Sequence, residues 1–191
     1  MNPAHKTVPA TLAWREGELY LLDQTRLPLE IVIERQDSAE QVWHSIQQLK
    51  VRGAPAIGVA AAYGLCVAMK PHRNQALTEF RAQLQHQAHY LESSRPTAVN
   101  LAWALRRMLA VAAHENAADS AMLYARLVAE AQKIHTEDTA ICTGIAQHGV
   151  ALIKSGMGVL THCNAGALAT TGLGTATAPM YLAHQRGTAF R

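Results

Sequence analysis

Residues 54–69 read Ala-Pro-Ala-Ile-Gly-Val-Ala-Ala-Ala-Tyr-Gly-Leu-Cys-Val-Ala-Met, with no charged side chain in the run. A helix without a polar face has to be covered on all sides. The run falls short of the roughly 20 residues that span a bilayer, so it is expected to form a buried core helix rather than a membrane segment. Pro55 suits its first turn, where a missing N–H leaves nothing unpaired.

The neighbouring segments supply a helical layer. Ser38 and Gln41 form a capping box, after which Val42, Ile46 and Leu49 recur on one face, with an end expected near Lys50. Asn74 is placed to cap a third helix carrying Leu77, Phe80, Leu84 and Leu91. Thr97, directly after Pro96, is placed to cap a fourth that turns Leu101, Leu105 and Met108 inward. A long helical region over 120–154 follows, with a break expected near 135–138. Ahead of all these, 11–14, 18–22 and 29–34 read as short strands, the first two joined as a hairpin through Gly17.

Composition limits the setting. The 191 residues are 49% apolar and 16% charged, with a formal net charge of +3. That balance suits an alanine-rich globular protein and a small anionic ligand, and is too weak for a nucleic-acid surface. Cys66, Cys142 and Cys163 are odd in number and form no C-x-x-C pair, which supports neither a zinc site nor a disulfide framework. The N-terminal residues show no apolar signal region, so a reducing, cytoplasmic compartment is expected.

The last part of the chain changes character. Met157-Gly-Val-Leu160 reads as a short buried strand, followed by Thr161-His-Cys-Asn-Ala-Gly166 and a glycine- and threonine-rich run to Pro179. Residues 176–185 read as a helix, and 188–190 as the start of another strand. Cys163 thereby falls at a strand end, beside a loop and a helix N-terminus of the kind that collects anions. The fold class expected is α/β. Residues 1–154 would form a small β element plus helical layer, and 155–191 the incomplete start of a Rossmann-like parallel sheet.

Four segments carry a family resemblance. Asp23-Gln-Thr-Arg-Leu-Pro28, Val51-Arg-Gly-Ala-Pro-Ala-Ile-Gly58, Ser94-Arg-Pro-Thr-Ala-Val-Asn-Leu101 and Thr161-His-Cys-Asn-Ala-Gly166 resemble, in order, the signatures of the methylthioribose-1-phosphate isomerase family. Its relatives include ribose-1,5-bisphosphate isomerases and regulatory subunits of translation initiation factor 2B. The resemblance implies an aldose–ketose isomerisation of 5-methylthioribose 1-phosphate to 5-methylthioribulose 1-phosphate in methionine salvage, by homodimers about twice this length. The resemblance implies no metal or redox cofactor, and hydride transfer and an enolate-type intermediate both remain open from sequence.

The same resemblance assigns Arg52, Gly53, Ala54 and Arg95 to substrate binding and Cys163 to catalysis. The chemistry is coherent. A guanidinium grips phosphate oxygens in pairs, Gly53 admits a close backbone approach, and a thiol exchanges protons when its pKa is tuned. Taken singly, each residue has a plainer reading: an incidental arginine in a helix-joining loop, a solvated arginine at a helix entry, a packing cysteine. A Cys163–His162 dyad is rejected because neighbours on a strand point to opposite faces. Asn164, Thr170, Thr171 and Thr175 suit hydrogen bonds to a sugar phosphate or caps of the following helix.

Glu137 and Asp138 lie outside the family's acid/base motif. The aspartate that partners the cysteine falls beyond the matching part, so the 191-residue chain alone is expected to be inactive. Two other functions compete. One is a non-catalytic regulatory subunit that binds a sugar phosphate or nucleotide. The other, a dinucleotide-binding oxidoreductase suggested by Gly166, Gly172 and Gly174, is weakly supported, because their spacing is not G-x-G-x-x-G and no complete βαβ unit with an acidic residue about 20 positions on follows.

Overall fold

The computed structural model describes residues 9–114 and 116–191. It opens with an antiparallel sheet of β1 (Leu12–Arg15), β2 (Glu18–Leu22) and β3 (Ile33–Gln36), in that order. Glu16 and Gly17, at φ 53° and 78°, make the two-residue turn that matches the twist of the first two strands. Leu12 faces Leu21 and Trp14 faces Leu19, which buries Leu19 and Leu21 on the core side of the sheet.

The third strand starts later than the sequence suggests. Residues 26–30 fold into a turn, with Leu29 and Glu30 N–H both donating to the Arg26 carbonyl, so Leu29 and Ile31 lie exposed. Pairing resumes only at Ile33, opposite Leu22.

Among the described residues six α-helices follow: α1 (Ala39–Gln47), α2 (Ala54–Met69), α3 (Leu77–Glu92), α4 (Val99–His114), α5 (Ser120–Gly149) and α6 (Ala178–Gln185). Residues 56–69 of α2 are all buried, as its uniformly apolar surface requires. Helices α1, α3, α4 and α5 and the sheet all contact it. Small residues set the approach distances. A Cβ on Gly58 would sit 2.9 Å from the Asn100 carbonyl of α4, and one on Gly64 would sit 2.6 Å from Val42 of α1.

The ends of these helices follow local chemistry. Ser38 Oγ accepts from Gln41 N–H, and the Gln41 side chain returns to the N–H of Asp37, one residue ahead of the cap. Helix α1 stops at Gln47 through Leu49 at φ 62°, with Lys50 N–H reaching back to the Ser45 carbonyl, the six-residue closure of a Schellman motif. Asn74 lies in the turn after Lys70–His72, and Ala76 is the residue that precedes α3. Helix α4 starts at Val99, two residues beyond Thr97, and buries Leu101, Leu105 and Met108 as expected.

Helix α5 is continuous where a break was expected. Leu127, Ala131, Ile134, Cys142 and Ala146 keep one stripe buried through the region. The Thr136 and Thr139 hydroxyls donate to carbonyls four residues back, which keeps them compatible with the helix.

The C-terminal part departs most from expectation. No parallel sheet is formed among the described residues, and Met157 and Leu160 are exposed rather than buried. What is present is one short stretch of pairing: Gly156 N–H donates to Ala189, Arg191 N–H to Met157, and Val159 N–H to Arg191. The last two bonds form the slanted pattern of a parallel pair. Two such segments joined by α6 have no further strand beside them, and a pair this small does not hold an apolar run out of water.

Candidate functional site

Arg52 is delivered by the close of α1. From Leu49 the chain runs through Lys50, whose carbonyl accepts the Gln24 N–H at 2.9 Å and whose ammonium lies 2.7 Å from Glu34. Arg52 itself is exposed. Gly53 follows at φ 97°, a conformation that costs a side chain dearly. It also has no room for one, since an added Cβ would lie 2.4 Å from both Cα and Cβ of Ala169. The Arg-Gly-Ala entry to α2 is therefore packed directly on the glycine-rich loop, more than 100 residues away in sequence.

Side chains from three separate segments bind that loop to the rest of the protein. Thr11 donates to the Ala167 carbonyl at 2.9 Å, and Gln24 donates to the Leu168 carbonyl at 2.8 Å while accepting from Arg52 Nε at 3.3 Å. On the far side Asp138 of α5 accepts from both the N–H and the hydroxyl of Thr171, each at 2.7 Å. The loop also closes on itself, with Thr175 N–H and the Thr177 hydroxyl both donating to the Ala165 carbonyl.

The threonines thus have internal duties. Thr170 donates to the Gly172 carbonyl, and Thr171 joins Asp138 and Thr139. Thr177, not Thr175, precedes α6, and its hydroxyl makes no cap bond. Asp138 and Gln24 were missed by sequence reasoning as loop anchors. Gln24 lies within a quoted motif, yet nothing in its spacing reveals a partner at Leu168. Glu137, left out of the site on sequence grounds, pairs with Arg107 of α4, whose guanidinium holds the carboxyl below its usual pKa.

Arg95 is half-buried just after Ser94, whose hydroxyl and N–H both turn back to the Leu91 carbonyl at the end of α3. The first turn of α4, a few residues beyond Arg95, packs on the second turn of α2 at Gly58. Cys163 is exposed, at φ 67°. A non-glycine residue held there is uncommon, and such strain concentrates at functional positions. The segment around it is not a strand, so alternation does not govern how His162 and Cys163 are disposed. Cys66 and Cys142 are buried, and burial pushes both thiols up.

A cleft of about 670 Å³ is lined in part by Thr11, Thr139, Thr171, Tyr181 and His184. Arg52, Arg95 and Cys163 do not line it. His135 Nδ1 lies 3.1 Å from the Tyr63 hydroxyl, and Tyr63 stacks on Trp14 at 4.9 Å. Burial holds the His135 imidazole below its usual pKa, against the opposing charge of Asp138. Among the described residues no three His, Cys, Asp or Glu side chains gather as metal ligands.

A buried alanine-rich helix whose Arg-Gly entry is packed on a cysteine-bearing glycine loop is the N-terminal half of a fold shared by sugar-phosphate isomerases and initiation-factor subunits. The backbone superposes on 5-methylthioribose 1-phosphate isomerase from Pyrococcus horikoshii OT3 with a TM-score of 0.90 and 33% identity, covering 96% of this chain and 51% of that one. It matches the delta subunit of translation initiation factor eIF-2B from A. fulgidus with a TM-score of 0.86 and 34% identity, covering 96% and 53%. Residues 50–191 match the Initiation factor 2 subunit family, and the chain belongs to that family. In sequence it is 52% identical over 176 residues to a 5-deoxyribose 1-phosphate isomerase of Bacillus thuringiensis (strain Al Hakam), covering 92% of this chain and 51% of that protein. A 5-deoxyribose 1-phosphate isomerase of Moorella thermoacetica is 49% identical over 178 residues, covering 93% and 51%. The chain spans about half the length of the curated relatives it matches.

Proposed function

We propose that this chain is the substrate-gripping half of an aldose–ketose isomerase acting on a ribose 1-phosphate modified at C5, with 5-methylthioribose 1-phosphate as the substrate and methionine salvage as the setting. The observation that carries the reading is the packing of Gly53 on Ala169, which joins the Arg52 loop to the loop that follows Cys163. The 5-deoxyribose 1-phosphate isomerases among its relatives make that sugar phosphate the second substrate to test.

In this reading Arg52 and Arg95 hold the phosphate, and Gly53 and Ala54 bring backbone and the α2 N-terminus to it. Because the phosphate sits on C1, no free aldehyde exists and the furanose ring has to open first. Cys163 supplies the exchangeable proton, paired with an aspartate from a second half of the molecule. The protein works as a cytoplasmic homodimer when that half is present. Residues 1–154 and 155–191 are then the helical domain and the opening of a Rossmann-like domain.

The test is a chain completed with the second half of the Bacillus thuringiensis relative and verified as folded by circular dichroism. It should turn over 5-methylthioribose 1-phosphate, and Cys163→Ser should lower kcat by about a thousandfold or more, the scale of general acid/base loss. Equal turnover in the variant would remove Cys163 from the chemistry. The likeness to an initiation-factor subunit supports a second reading, a regulatory module that binds the sugar phosphate without converting it.

A further inference from the structure

We propose that Gln24 is a positioning residue that couples Arg52 to the glycine-rich loop and sets which edge of the guanidinium meets the ligand. This rests on Arg52 being a phosphate ligand. Gln24 is 3% exposed, so its amide has to find partners inside the protein. Its Oε1 accepts from Arg52 Nε and its Nε2 donates to the Leu168 carbonyl. Only this orientation of the amide satisfies both neighbours, since an arginine offers no acceptor and a carbonyl no donor. The backbone is held as well, by Gln24 N–H to Lys50 and by Asp23, which accepts from both the N–H and hydroxyl of Thr25.

The consequence is geometric. A guanidinium grips two oxygens either through Nε and one Nη or through both Nη groups. With Nε engaged by Gln24, the end-on edge is the one left for an oxyanion. The same amide ties that arginine to Leu168, five residues after Cys163, so phosphate grip and loop position move together.

The experiment uses the 191-residue chain with Gln24→Met, Gln24→Glu and Arg52→Met. The readouts are the Arg52 Nε–H signal and its ¹⁵N relaxation, amide exchange at Ala169 and Thr170, and titration with inorganic phosphate. Gln24→Met should free the Arg52 Nε–H, speed exchange at Ala169 and Thr170, and weaken phosphate binding about tenfold, as expected for a lost bond to a charged group. Gln24→Glu keeps the acceptor but loses the donor, so Arg52 should stay ordered while the loop amides exchange faster. A purely structural glutamine would move both readouts together in both variants, and that result overturns the proposal. So does an unchanged Arg52 signal in Gln24→Met. Unchanged phosphate affinity in Arg52→Met instead overturns the phosphate reading, while the Nε–H and exchange measurements still decide the coupling. If Gln24→Met does not fold, Gln24→Glu decides alone through the same split.

Discussion

Gly53 concentrates the case at the scale of a single residue. Its positive φ and its contact with the Ala169 backbone act on the same atom position, so neither can relax to relieve the other. Gly53→Ala should destabilise the chain by about 2 kcal/mol or more, combining left-handed strain with a backbone clash, and urea unfolding measures it. Asp138 gives a second residue-scale prediction. Asp138→Ala removes both bonds to Thr171 and should cost about 1–3 kcal/mol, with faster amide exchange at Thr171. His135 gives the pH dependence. Burial lowers its folded pKa, so the unfolded chain binds the proton more readily, and its contribution is present above the unfolded value of about 6.5 and lost as pH falls. His135→Gln should therefore show a smaller drop in urea midpoint between pH 7.5 and 5.5 than the unsubstituted chain.

The elements differ in how far the sequence reveals them. Helix α2 was fully legible because its composition left it one environment, and its neighbours followed from ordinary periodicity. Leu105 of α4 is 1% exposed in the core around α2, so Leu105→Ala should cost about 2–5 kcal/mol by thermal unfolding, the range for an incompletely collapsed cavity. What the sequence hid were features decided by distant partners. Thr171 reads as a ligand hydroxyl or a helix cap, yet α5 and the loop meet there, with its hydroxyl on Asp138 and Thr139. Glu137 and Asp138 look alike in sequence, and only the fold assigns one to Arg107 and the other to Thr171. The strand expected at 157–160 failed because burial depends on neighbouring strands, which local pattern does not report. The third strand shifted because Leu29 and Ile31 alternate correctly but lie in and just after a turn closed by Arg26.

Across the whole molecule, the contact that ties the start of α2 to the glycine-rich loop is Gly53 on Ala169. Arg95 lies half-buried ahead of α4, and Cys163 is exposed upstream in the loop segment. Motif order suggested this assembly, but the anchors that hold it, Thr11, Gln24 and Asp138, appear only in three dimensions. The chain spans about half the length of the curated relatives it matches, and the proposed phosphate grip and the proposed chemistry are tested separately. The most direct test is conversion of 5-methylthioribose 1-phosphate, followed by NMR, in parallel for the 191-residue chain and the completed protein. The isomerase account predicts ketose 1-phosphate from the completed protein, none from the 191-residue chain, and loss of turnover in Cys163→Ser. A completed, folded protein that binds the sugar phosphate and never converts it would contradict the account and leave the regulatory module in its place.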